Sequence, residues 1–340
     1  MQIETIRETA DWAELAKEWN TLLEESHLRV PFLTYEFQRA WWDHLGGGEW
    51  TDAQLNVLVA REIDGRLLGI APLFRIQNDQ SQWNLHFIGT HEIADFLDFI
   101  VRPEDHAAFL QAVIEYLTAD DEWQSLDLYN LLDTSRTSEI LSSLTVDQPW
   151  DFKVESLEPS PYIPVPPTFD EYTASLDSKQ AHELRRKLRR AAKNPETIST
   201  EIIEDRSLLP PALQDFFALM CQEADKDRFL TMQMRAQMEA IALAAFDGGW
   251  LQLFFLKAGN KRIAGYMNFD FALCTWAYNA GFNNEYADLS PGWVIMAEIM
   301  RWSIEHGRKI FDFMRGDEDY KYRFGGIDRF IQRVTITRGS

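Results

Sequence analysis

The sequence predicts an α/β protein of two tandem domains, each a mixed, mostly antiparallel sheet flanked by helices. Three observations predict it: a hairpin pattern that occurs twice, a helix and short strand that follow each copy, and a proline-rich stretch between them. The first hairpin is Leu55 to Ala71, two apolar runs joined by a tight turn at Asp64-Gly65. The second runs from Leu251 to Met267, and aligning Gly69 with Gly265 also pairs Arg66 with Arg262 and Leu67 with Ile263. Phe109 to Leu117 followed by Leu126-Asp-Leu completes the first copy, and Trp293 to His306 followed by Phe311-Asp-Phe completes the second. Such internal similarity reads as duplication of one unit.

The break falls in Glu158-Pro-Ser-Pro-Tyr-Ile-Pro-Val-Pro-Pro167, where five prolines in ten residues exclude a helix and favour an extended connector. The expected domains are therefore 1–160 and 161–340. Between break and second hairpin the pattern predicts a basic helix over 178–193 and helices around 211–225 and 232–246. In the first copy the stretch from Gln77 to Phe99 has no Ser-Pro-Gly turn opening a helix, so the second copy is the catalytic candidate and the first is expected to be noncatalytic. Gly46-Gly47-Gly48 follows a Trp-rich helix and reads as a helix-ending linker.

Composition narrows the partners. A formal net charge of -21 argues against DNA, against nonspecific nucleic-acid binding and against an anionic membrane surface, since these draw on a basic face. No apolar run approaches the roughly 20 residues of a spanning helix, so no membrane insertion is expected. Two cysteines, Cys221 and Cys274, are too few for a disulfide framework, and the start lacks the pattern of a secretory signal. The expected location is the cytoplasm. The seven histidines show no ligand spacing, so no metal is expected.

The most informative stretch runs from Gly281 through Ser290-Pro-Gly292 into the second helix. Ser290 can cap that helix, Pro291 suits its first turn, and Gly292 lets a ligand approach the backbone. Free N–H groups at such a helix start favour a phosphate, making Ser290, Gly292 and Trp293 the candidate cofactor site. Upstream, Lys179 to Lys193 gathers seven of the 33 basic residues in fifteen positions. Arg185, Arg186, Arg189 and Arg190 are either a solvated face neutralised by carboxylates or a forked clamp for phosphates. On the second hairpin Tyr266, Asn268 and Asp270 alternate with apolar residues. That polar ladder is either solvated or faces an acceptor, in which case Asp270 can take a proton from an attacking amine. In the closing segment Arg315-Gly316 turns the chain to present Tyr320 and Lys321. Tyr320 can protonate a leaving thiolate and Lys321 can hold an anionic group, or both belong to a salt-bridged loop.

The Ser290-Pro-Gly292 turn, the Phe311-Asp-Phe strand with Gly316 and Tyr320-Lys321 after it, and the basic helix at 185–190 together resemble the GNAT superfamily. They are most similar to the CelD/BcsL-type acetyltransferases related to the Fem aminoacyl transferases, over roughly residues 170–325. The resemblance implies two tandem GNAT-like domains and acetyl-CoA as cosubstrate. Its pyrophosphate would lie at Gly292 and Trp293, with its pantetheine arm between the strands at 263–274 and 310–314. It also implies a small-molecule or glycan-precursor amine as acceptor, bound near Tyr266, Asn268, Arg315 and Lys321. The chain offers only one glycine before the helix, fewer than the usual GNAT phosphate loop. The Fem branch uses aminoacyl-tRNA on the same fold, a donor that the acidity and the lack of a long coiled-coil insertion disfavour here. A noncatalytic binding module of this fold is the third expectation.

Overall fold

The computed structural model describes residues 2–339. The chain forms two compact units, one of Met1–Glu158 with Arg329–Ser340 and one of Pro159–Asp328. The sequence reading carried the second domain to residue 340. Instead, the strand Phe330–Arg338 pairs antiparallel with Trp123–Leu132 of the first unit. Ile331, Val334 and Ile336 are buried there, so an apolar strand is taken up by a sheet far away in sequence, which local pattern does not foretell.

In the first unit the predicted hairpin is Val57–Arg61 paired with Leu67–Ala71, in a four-stranded sheet with Gln2–Ile6 and Ile100–Val101 at its edges. A six-stranded sheet follows in the order Gln54–Leu55, Leu73–Gln77, Trp83–Phe87, Trp123–Leu132, Phe330–Arg338, Trp150–Pro159. Trp83–Phe87 and Trp123–Leu132 in it are parallel, and the helix His106–Ala119 lies between these strands in sequence.

The second unit holds one six-stranded sheet. Its six strands run in the order Tyr162–Pro164, Ile310–Asp312, Cys274–Phe282, Lys261–Phe271, Leu251–Ala258, Ile198–Ile202. The helix Pro291–Glu305, hereafter the central helix, connects Cys274–Phe282 to its parallel neighbour Ile310–Asp312. Ala297 is buried beneath it with Val294, Ile295, Ile299 and Met300, the last four each contributing about 1.5–3 kcal/mol. The basic helix Ser178–Ala192 covers the central helix, capped by Asp177, whose carboxylate accepts from the Lys179 and Gln180 N–H groups. The helix Leu209–Met220 lies on the opposite face. A Cβ on Gly281 would come within 2.4 Å of the Met220 backbone nitrogen, so this close approach admits only glycine. Helices thus cover both faces of the sheet. In each unit a helix links two parallel strands, the architecture of two GNAT-like domains.

Candidate functional site

The site is built where the parallel pair comes apart. Cys274, Thr275 and Trp276 pair with Ile310, Phe311 and Asp312, and there the shorter strand ends while its neighbour continues to Phe282. At the same level the antiparallel register against Lys261–Phe271 slips: Met267 faces Asn279 while Asn268 faces Ala277, leaving Tyr278 as the extra residue of a bulge. Beyond the bulge Asn283 donates to Ile263 O. By the alternation of an antiparallel ladder, Ala280 and Phe282 then turn their N–H and C=O groups to the open side. Lys226 confirms the orientation, its ammonium donating to Ala280 O at 3.0 Å.

The central helix starts beside this open edge. Ser290 adopts a left-handed backbone (φ 53°) and makes no cap with its side chain, which corrects the expected capping. Its hydroxyl lies 3.3 Å from the Lys187 ammonium, which also stands 4.6 Å from the centre of the Trp293 ring. Trp293 and Val294 both donate to Ser290 O, and Pro291 has no N–H, so Gly292 supplies the uncommitted donor of the first turn. A Cβ at Gly292 would sit 3.3 Å from the Phe282 ring. The helix start therefore offers one N–H and one ammonium rather than a row of amides.

Arg190 donates to the Asp288 carbonyl in the loop that leads into this turn. The other three arginines do not converge with it. Arg186 is held by Glu183 at 2.6 and 2.8 Å, Arg185 reaches Thr173 at 3.4 Å, and exposed Arg189 turns back to Arg185 O. A clamp of four arginines is thereby replaced by Lys187 with Arg190 beside it. Lys187 sits within the same basic run, and its signal was the three-residue spacing from Leu184 that sets it beside the apolar stripe at Leu184 and Leu188.

Tyr266 lies opposite Ala280 and is nearly fully buried. Its hydroxyl interacts with that of Tyr320. Burial, with the nearby Glu318 charge, holds the Tyr320 hydroxyl above its ordinary pKa, and burial does the same to Tyr266. Both are neutral proton donors at physiological pH. Tyr320 packs edge-on to Phe313, and Phe324 packs on Trp293 with ring centres 4.7 Å apart. The walls of the splay are aromatic.

Three expected site residues are placed elsewhere. Asp270 pairs with Arg308 at 2.5 Å and stands opposite Thr275, while Tyr266 stands opposite Ala280. At about 3.3 Å per residue this removes Asp270 by about 13 Å from the Tyr266 level, which corrects its assignment as the base. Asp270→Asn is expected to leave turnover within about twofold and to cost about 1 kcal/mol of stability, checked by steady-state rates beside a urea melt. Asn268 is buried and donates to Gln252 Oε1 at 2.8 Å inside the sheet's covered face, so it is bonded within the sheet and does not face an acceptor. Lys321 is 1 % exposed and donates to the carbonyls of Met314, Arg315 and Gly316 at 3.1, 2.5 and 3.2 Å, with Glu318 at 2.8 Å. It ties down a turn rather than meeting an anionic ligand. Arg315 contributes its carbonyl to that tie.

A cavity of about 450 Å³ lies between the basic helix, the central helix and the edge strand Ile198–Ile202. Glu298 and Arg301 line it and pair at 2.9 Å. Burial raises the Glu298 carboxyl above its ordinary pKa, opposed by Arg301. It opens beside Val294 and the helix behind it, away from the splay, and sequence reasoning had no signal for it because it is bounded by three separate elements.

A splayed parallel pair, a bulge at the splay and a helix start facing it define a GNAT-type domain, and residues 178–322 match the family model described as an acetyltransferase (GNAT) domain. Residues 178–322 form a GNAT domain, and the fold of the chain is shared with FemX. No curated protein sequence matches significantly. The crystal structure of FemX superposes with a TM-score of 0.68 at 13% identity, covering 98% of this chain and 97% of that one. A conserved protein of unknown function from Bacteroides thetaiotaomicron VPI-5482 gives 0.62 at 13% identity, covering 99% and 100%. L-PGS from Bacillus licheniformis gives 0.56 at 11% identity, covering 94% and 90%. At these identities the likeness is one of fold. Among the described residues no helix is long and apolar enough to cross a membrane.

Proposed function

We propose that the second unit transfers an acyl group, in the first instance acetyl from acetyl-CoA, to a primary amine. The observation that carries this reading is the Lys187 ammonium and the Gly292 N–H beside the edge at Ala280 and Phe282, which lies beyond the last parallel pair. A pyrophosphate is a dianion and meets a cation and a helix start there. The amide arm of pantetheine can add to the open strand edge as a further strand would.

The residues then divide the work. The open-edge N–H groups past the bulge polarise the thioester carbonyl and hold the oxyanion. The amine nitrogen attacks, its proton leaves to water, the carbon–sulfur bond breaks, and Tyr320, with the Tyr266 hydroxyl beside its own, gives its proton to the departing sulfur. Much of the acceleration comes from holding the two reactants together. The acceptor is proposed as an amino sugar or another glycan precursor, on analogy with the family.

Acetyl-CoA titrated into the full chain by calorimetry tests the donor. Saturable binding that also raises the melting temperature supports it. Gly292→Val, which crowds Phe282 and fills the approach to the N–H, is expected to weaken binding by about tenfold or more with an unchanged fold, given about 1–3 kcal/mol for the lost interactions. Unchanged affinity in a folded Gly292→Val protein removes the pyrophosphate from the helix start. A second reading, aminoacyl transfer, has the FemX and L-PGS fold in its favour. It predicts RNA binding that falls steeply with salt, against a chain of net charge -21.

A further inference from the structure

The first unit carries a parallel strand pair of its own, and a different set of side chains stands where its ladder ends. The ladder between Trp83–Phe87 and Trp123–Leu132 ends on the pair His86 and Asp127. This is the place that Trp276 and Asp312 occupy in the second unit. The His86 ring is 7% exposed, and its Nδ1 has no hydrogen-bond partner. The nearest acceptor, Asp127 Oδ2, lies 3.6 Å away, too far for a hydrogen bond. His91 comes in from the loop after the strand, and one ligand atom each from His86, His91 and Asp127 fall within 4.8 Å of one another.

We propose that His86, His91 and Asp127 hold a divalent transition ion of the zinc class in the first unit. A nitrogen and an oxygen bound at about 2.0–2.2 Å to one tetrahedral ion lie about 3.3–3.6 Å apart. The His86–Asp127 separation already has that value, and it satisfies the buried nitrogen that the protein leaves unpaired. Burial, the largest cause, lowers His86 to a pKa of about 4 against the pull of Asp127, so its imidazole is neutral and able to ligate. Arg333 binds both Asp127 oxygens at 2.7 and 2.8 Å. A carboxylate has about four lone-pair sites, so two remain, and the guanidinium fixes its orientation. His91 supplies the adjustable ligand, since its side chain is 28% exposed, and the Glu49 carboxylate 3.8 Å from its Nδ1 is placed to orient the ring. The Trp50 ring stands 5.3 Å from both imidazoles and walls the site. Three protein ligands leave a coordination position open.

A second histidine pair in this unit makes the contrast. His27 and His106 stack at 4.2 Å near Asp98, but Asp98 accepts from Ser135, Thr137 and the Phe99 N–H and pairs with His27. That carboxylate is saturated by its own chain, and no orphan atom marks the place.

The test is a zinc titration of the chelator-treated full chain by calorimetry, with cobalt absorption as a geometric readout. One equivalent is expected, with a tetrahedral cobalt spectrum. His91→Ala, at a partly exposed loop position that does not threaten folding, is expected to weaken binding by about 100-fold, and Glu49→Gln by about tenfold. Absence of saturable binding, or unchanged zinc affinity in folded His91→Ala, overturns the proposal. Binding lost in His27→Ala but kept in His91→Ala overturns it as well, because the ion then belongs to the other pair.

Discussion

Replacing Tyr320 by Phe is expected to lower kcat for acetyl transfer by about 10²–10⁴-fold, with KM for acetyl-CoA within about twofold. The change deletes one oxygen and leaves the ring packed on Phe313, so binding and folding are preserved while the proton for the departing sulfur is lost. Tyr266→Phe is a milder variant, since it removes only the hydroxyl beside Tyr320. The pH profile adds a second readout. Burial and the Glu318 charge keep Tyr320 above its ordinary pKa, so the acid form persists throughout the neutral and mildly alkaline range. It is lost only as pH rises through that elevated value. An alkaline limb below about pH 10 in the wild type therefore belongs to another group. Turnover unchanged in Tyr320→Phe, with amine saturating, removes Tyr320 as the acid.

The alternating hairpins, the helix after each and the proline-rich connector were legible because they are local: strand period, turn glycines and helix spacing sit within about twenty residues of sequence. The predicted basic helix over 178–193 is Ser178–Ala192, and the predicted strand at Phe311-Asp-Phe is Ile310–Asp312. What sequence withheld depends on contacts between distant segments. Asp270 looked like a base because it stood on a polar ladder, and only the fold brings Arg308 to it from beyond the central helix. Asn268 faced the same way and is sealed under that helix, bonded to Gln252. Lys187 and Lys226 were two lysines among many until the loop before Pro291 and the open strand edge met them. The first-unit histidines, His86 and His91, showed no ligand spacing with Asp127. The parallel ladder supplies that proximity.

Lys321 gives the largest expected effect on stability. It is buried, yet its ammonium has four oxygen partners: three consecutive carbonyls from Met314 to Gly316 and the Glu318 carboxylate. Met314 holds a left-handed backbone (φ 64°) in that turn, a conformation unfavourable for a side-chain-bearing residue, so the turn depends on the cation at its centre. Lys321→Met keeps the volume of the stem but leaves the carbonyls turned inward with no donor, at about 1–3 kcal/mol for each group that water cannot reach. Because Glu318 is largely exposed, its charge is resolvated and adds little. The expected loss is about 3 kcal/mol in urea unfolding. The same turn leads into the short helix that carries Tyr320, so the variant should also lose turnover, with KM for the amine rising as the Tyr320 wall loosens. Lys321→Arg separates the two roles. A guanidinium is planar and cannot fill a socket shaped for a tetrahedral ammonium, so stability stays low even though the charge is kept. If Lys321→Met instead unfolds at the wild-type urea concentration while failing to bind the amine, the ammonium meets substrate and the turn is held by other bonds.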